Sequence, residues 1–240
     1  MTTEQQRTAV TGDRFGFTLA EVLVVMLILG MLMGILMPVI GVVQLKMQAA
    51  RSKTRIAVID RGVTSYKLAN NMYPGQADFN KWQPPDGATD PLPAGKYTGS
   101  QVVAAHLFGY YDPAAADPYH NATESNPGAS RTAYCPWQPG MLMHRDSTNT
   151  AKRNYLSDDF STPKPIAYYP SGNGAGKDEF RFSDNSVITG KTDIIFWNYI
   201  KDTKYAGGED RPVNHNDFLL IGPGPDRFYF TEDDVHNWGN

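Results

Sequence analysis

From Val22 to Leu45 no side chain carries a charge, and the run is built almost wholly from Leu, Ile, Val, Met and Gly. Wound as an α-helix, such a run rises about 1.5 Å per residue and crosses a hydrocarbon core of roughly 30 Å. Beyond Pro38 the pattern changes. Leu45, Ala49, Ile56, Ile59, Val63, Tyr66 and Leu68 or Ala69 recur at helical spacing, with Lys, Arg and Gln between them. This is the signature of one apolar stripe and one wet face. Met72-Tyr73-Pro74-Gly75 ends the pattern, since the residue before a proline avoids helical angles and glycine favours turns. The spacing therefore predicts one helix from Phe17 to about Asn70, roughly 80 Å long.

Residues 76–165 are rich in Pro, Gly, Asp and Asn, with one helical candidate, "SQVVAAHLFGYY", that Ser100 could cap. Trp82, Tyr97, Phe108, Tyr110, Tyr111 and Trp137 supply apolar mass there, read first as packing and second as a binding surface. Five short runs then read as strands bounded by turn residues: "PIAYYP", "EFRFSD", "DIIFWNYI", "DFLLIG" and "RFYF". The expected fold class is α+β, with a long amino-terminal helix lying on a carboxyl-terminal antiparallel sheet and a loop-rich insertion between them. The expected divisions are 1–16, a leader; 17–45, the membrane half of the helix; 46–71, its amphipathic half; 72–165, the insertion; and 166–240, the sheet with an acidic end.

Composition narrows the partners. The 240 residues carry 22 Lys and Arg against 25 Asp and Glu, a net charge of −3. No basic excess supports nucleic-acid binding. Cys135 is the one cysteine, so no internal disulfide can form. The leader, "MTTEQQRTAVTGDRFG", puts its small residue, Gly16, before the apolar run, whereas a secretory signal puts small residues after it. Cleavage at Gly16 would leave the apolar helix on the mature chain. Lys46, Arg51, Lys53 and Arg55 follow the span, while Glu4 and Asp13 offset Arg7 and Arg14 before it. By the positive-inside tendency alone the body would lie in the cytoplasm.

Glu21 is the acidic residue at the start of this run, where a buried carboxylate would cost roughly 2.5–3.5 kcal/mol on insertion scales. Gly16 followed by "FTLAEVLVVMLILGMLMGILMP" resembles the amino terminus of type IV pilins and type II secretion pseudopilins. The resemblance implies that a prepilin peptidase of the bacterial inner membrane cuts between Gly16 and Phe17 and methylates the new Phe17 amine. It also implies a single-pass protein with its head in the periplasm, against the charge tendency. Glu21 falls at the family's glutamate and Pro38 at its helix proline. In a filament the Glu21 carboxylate is expected to meet the Phe17 amine of a neighbouring subunit, because opposite charges in an apolar bundle compensate one another. Gly30, Gly34 and Pro38 share one stripe, which fits both close helix packing and a helix that loosens on assembly. The helix end, "SYKLANNMYP", is similar to that of the major pseudopilin.

The tail, "FLLIGPGPDRFYFTEDDVHNWGN", returns two acidic groups, Asp226 and Glu232-Asp233-Asp234, around a turn. By chemistry alone this is first a solvated acidic turn, and its spacing is not that of an EF-hand. Its order is similar to the calcium loop of major pseudopilins, which implies calcium held by Asp226, Asp233 and Asp234, near Val235, Asn237 and Trp238. Arg227-Phe228-Tyr229-Phe230 departs from the family's more glycine-rich stretch. The function implied is a pseudopilus subunit of type II secretion, with homo- and hetero-pseudopilin partners, the prepilin peptidase and the inner-membrane assembly platform. The alternatives are a type IV pilus or DNA-uptake minor pilin or adhesin, and a membrane-anchored enzyme. For the enzyme reading, His106, His120, His144, His215 and His236 form no His-Glu-x-x-His pattern. "SGNGAG" lacks the context of a phosphate loop, and Cys135 has no activating neighbour in the chain.

Overall fold

The computed structural model describes residues 16–76, 82, 96–109, 133–136, 138–144, 154–172, 179–207 and 210–239. It divides into two compact units, Met1–Gln44 and Leu45–Asn240. Helix α1 spans Leu19–Asn70, with Pro38 inside it. In the first unit the described residues, Gly16 to Gln44, are exposed along their whole length. The helix has the length and apolar composition to cross a membrane.

In the second unit α1 buries Ser52, Ile56, Ile59, Gly62 and Val63. These positions follow the helical repeat, so they fall on one stripe. Tyr66 is half-buried on the same stripe, whereas Leu45 and Leu68, also expected there, are 47% and 82% exposed. Leu45 precedes the first buried position, and Leu68 is rotated away from it. Asn71 takes a left-handed φ of 57° and ends α1, a conformation that asparagine tolerates better than most residues.

Helix α2, Gly99–Leu107, starts on a capping box. The Gln101 N–H donates to Thr98 Oγ1, and the Thr98 N–H donates back to Gln101 Oε1 at 2.9 Å. Thr98 therefore caps α2 where Ser100 was expected, and Ser100 Oγ instead accepts the Leu156 N–H at 3.1 Å. The helix can sit so close to the sheet because Gly99 has no side chain: a Cβ there would lie 1.9 Å from the Tyr168 carbonyl oxygen.

Strands β1, Leu142–His144, and β2, Asn154–Leu156, pair antiparallel with Leu142 opposite Leu156. Strand β3, Ala167–Pro170, pairs antiparallel with β4, Phe218–Gly222, and β4 pairs with β5, Val235–His236. The sheet order is β3-β4-β5, so Pro170 sits on an edge strand, where a missing N–H is tolerated. Successive side chains on β3 and β4 point to opposite faces. Tyr168, Phe218 and Leu220 join Ile56, Ile59 and Val63 of α1 and Val102, Val103 and Leu107 of α2 in one core. Ala167, Tyr169, Leu219 and Ile221 face a second core with Phe196 and Ile200. The antiparallel sheet thus packs on the long helix, the expected α+β arrangement.

Trp82, Tyr97 and Phe108, from the stretch read as an insertion, lie in the same core as α1 and are at most 1% exposed. Tyr110, Tyr111 and Trp137 lie outside the described residues. Three strand expectations are corrected. "DIIFWNYI" is helix α4, Asp193–Ile200, preceded by the short helix α3, Ser186–Thr189. Its apolar residues do not alternate. Phe196 and Ile200, four apart, are buried while Ile194 is 72% exposed, and Asp193 in the first turn favours the helix dipole. "EFRFSD" ends in a 3-10 turn, Phe182–Asp184. "RFYF" cannot extend, because Arg227 and Phe230 take φ of 65° and 64°.

Candidate functional site: the amino terminus and the acidic loop

Gly16, Phe17 and Thr18 stand outside the helix, and Phe17 is 87% exposed. Thr18 is the residue on which α1 starts. Its hydroxyl oxygen accepts the Glu21 N–H at 3.3 Å, while Glu21 Oε2 accepts both the Thr18 N–H at 2.8 Å and the Thr18 hydroxyl at 2.9 Å. This is a Thr-x-x-Glu capping box, which meets two of the donors that a helix start leaves open. The motif stands in plain sight as "TLAE", but the reading of Glu21 as a membrane carboxylate passed over it. Pro38 lies within α1, and no atom outside the helix backbone comes within 4 Å of where a Cβ would stand on Gly30 or Gly34.

At the other end of the chain Asp226, Asp233 and Asp234 come together. One carboxylate oxygen from each lies within 4.8 Å of the others. The loop closes because Gly224 lets the chain pass: a Cβ there would stand 2.1 Å from the Asp233 carbonyl oxygen. Local donors already bind these carboxylates. Asp226 Oδ1 accepts the Phe228 N–H at 2.8 Å, and Asp233 Oδ2 accepts the Asp226 N–H at 3.0 Å. Thr231 Oγ1 donates to Asp233 at 2.8 Å and to Asp234 at 3.1 Å. Asp226 and Asp233 are exposed and Asp234 is buried. Burial pushes the Asp234 carboxyl up to about 6, against hydrogen bonds from the Phe230 N–H and the Thr231 hydroxyl. Burial, then the Asp234 charge, also pushes the Tyr199 phenol up.

A residue that sequence reading treated only as a departure fastens this loop. Arg227 Nη1 donates to Asp158 Oδ2 at 2.7 Å, and Nη2 donates to the Thr162 carbonyl at 2.6 Å. Asp158 is 1% exposed at its side chain. Burial raises the Asp158 carboxyl, opposed by Arg227 and by the Lys164 and Phe160 N–H groups, and burial prevails. The Tyr229 hydroxyl donates to the Pro165 carbonyl at 2.6 Å. Asn237 holds the far side of the loop: its Nδ2 donates to Asp60 Oδ1 and the Phe218 carbonyl, and its Oδ1 accepts the Leu220 N–H. Arg55, on the face of α1 read as wet, turns inward to the Gly140, Ser157 and Asp158 carbonyls and Asp159.

The groups weighed for catalysis serve the fold. His215 Nδ1 lies 2.6 Å from the buried Glu179 carboxylate, which also accepts the Asn216 N–H, and this pins the turn before β4. His236 stacks on Trp238, and His106 packs edge-on against Tyr66. Burial pushes the Cys135 thiol up to about 11, the reverse of what activates a cysteine. His144 falls in β1, His120 lies outside the described residues, and Ser171 and Gly172 are the part of "SGNGAG" within them.

An exposed, capped apolar helix and a two-faced antiparallel sheet define a chain of the type IV pilin-like architecture. Residues 13–37 match the model of the prokaryotic N-terminal methylation motif, which marks the amino terminus as a prepilin-type signal. Comparison with curated proteins and with solved structures found no match. The motif indicates a structural subunit that a prepilin peptidase processes for assembly into a pilus-like filament. The apolar helix is consistent with membrane anchoring before assembly.

Proposed function

We infer that the chain is a pseudopilin of a type II secretion system, cut between Gly16 and Phe17, methylated at Phe17, and built into a short periplasmic filament that helps export folded proteins. The observation that carries this reading is the convergence of Asp226, Asp233 and Asp234 in a closed carboxyl-terminal loop, on a chain with a prepilin-type amino terminus. Calcium takes six to eight oxygens at about 2.3–2.6 Å, so carboxylate oxygens within 4.8 Å of one another suit one ion. Asp226, Asp233 and Asp234 would hold it, and the ion would neutralise the buried Asp234 and tie the two arms of the loop together.

At the amino terminus, Glu21 of one subunit would bind the Phe17 amine of the next. Its Oε2 is occupied by Thr18, and Oε1 has no hydrogen-bond partner among the described residues. Gly30, Gly34 and Pro38 would let the helix adjust as subunits dock. The subunits would act with the inner-membrane assembly platform, and a separate ATPase would supply energy.

Mass spectrometry of the mature protein tests the processing step: a methylated Phe17 terminus is expected, and an intact Met1 terminus would overturn it. Deletion in the native bacterium tests the system. Loss of proteins from the medium supports secretion, while loss of pili or DNA uptake with secretion intact would replace it with the pilus reading.

A further inference from the structure

The Thr18–Glu21 box does more than begin a helix. We propose that Thr18 is a positioning residue for assembly: by holding Glu21 Oε2 with two donors, it leaves Oε1 to receive the neighbouring subunit's amine. The inference rests on the Glu21–Phe17 pairing proposed above and assigns the residue that prepares it.

Three hydrogen bonds join the two residues, and two of them end on one oxygen of the carboxylate. A glutamate side chain on an exposed first turn has three torsions to fix before it can meet a charge at a set height. Glu21 has no other partner among the described residues, and nothing buries it. Thr18 has therefore fixed the side chain before a second chain arrives. A side chain ordered in advance loses less freedom on binding, a saving for one rotamer-rich group equivalent to about 2- to 12-fold in association.

Capping and charge are separable here. Glutamine serves a capping box as well as glutamate does but carries no charge, and serine keeps the hydroxyl that valine lacks.

The test uses the full chain, matured in membranes that contain prepilin peptidase. A carbodiimide joins amines to adjacent carboxyls without a spacer, so an amide between Phe17 of one copy and Glu21 of another reports the pairing. It is read as cross-linked dimer by gel and mass spectrometry. The native chain and Thr18→Ser should give equal yields, Thr18→Val about 2- to 12-fold less, and Glu21→Gln none at this position. Circular dichroism of Glu21→Gln should match the native helix content. An equal yield from native chain and Thr18→Val, or a Thr18→Ser yield as low as that of Thr18→Val, overturns the role of Thr18. A native chain that is matured but gives no Phe17–Glu21 dimer instead overturns the pairing on which the inference rests.

Discussion

Replacing Arg227 with methionine removes the guanidinium from a carboxylate that is 1% exposed and keeps the aliphatic stem that lies against Phe160. Asp158 would retain the Phe160 and Lys164 N–H groups but lose its only ion-pair partner among the described residues. Breaking a buried pair from one side costs about 3–5 kcal/mol, because the remaining charge stays desolvated. For a unit the size of Leu45–Asn240, each kcal/mol moves the melting temperature by about 2–4 °C, so a fall of about 6–20 °C is expected at pH 7. The sign with pH follows from Asp158. Its folded carboxyl is already raised, so its ionised form opposes folding, increasingly so as pH climbs through the folded value. Without Arg227 that value rises further, and the deficit should shrink as acid protonates Asp158. Asp158→Asn should restore part of the loss in the double variant. Urea titration of the full chain in detergent, followed by tryptophan fluorescence at pH 7 and pH 5, measures all three. A deficit below about 1 kcal/mol at pH 7, or one equal at both pH values, would refute the reasoning.

Ile59→Ala should cost about 2–5 kcal/mol by the same titration, since Ile59 is fully buried between α1 and the sheet. Gly99→Ala should cost about 1–3 kcal/mol or more, because its Cβ meets the Tyr168 carbonyl rather than a flexible side chain; unchanged protease resistance would contradict this. Calcium at about 100 times its dissociation constant should add about 2.7 kcal/mol, and Asp233→Ala with Asp234→Ala should abolish the gain. A native protein indifferent to calcium and chelator removes the metal assignment. Cys135, its thiol raised to about 11, should resist iodoacetamide at pH 8 and react fully once urea unfolds the chain.

The elements with an unambiguous period were legible in the chain. The Ile56, Ile59 and Val63 stripe, the stop at Asn70 and Asn71, and strands "AYYP" and "FLLIG" all follow from local pattern. Short apolar runs were not. "DIIFWNYI" satisfies both β-propensity and an i, i+4 pair, and only the second core, around Tyr169 and Leu219, decides between them. Asp226, Asp233 and Asp234 were readable as a group because one turn joins them. The Arg227–Asp158 pair was not, because 69 residues separate its members and no spacing rule connects them. Thr18 was missed for the opposite reason: its signal is local, but a charge in an apolar run drew the explanation to the membrane instead of to the helix end.

Asn237 joins three things at once: the carbonyl of Phe218, the N–H of Leu220 and the carboxylate of Asp60 on the long helix. A rod that is pushed or pulled along its axis therefore hands strain to the carboxyl end through a side-chain amide, with the central strand as the lever. In a moving fibre the last residues of the chain become a tension gauge, the first part of the head to register a load on the shaft.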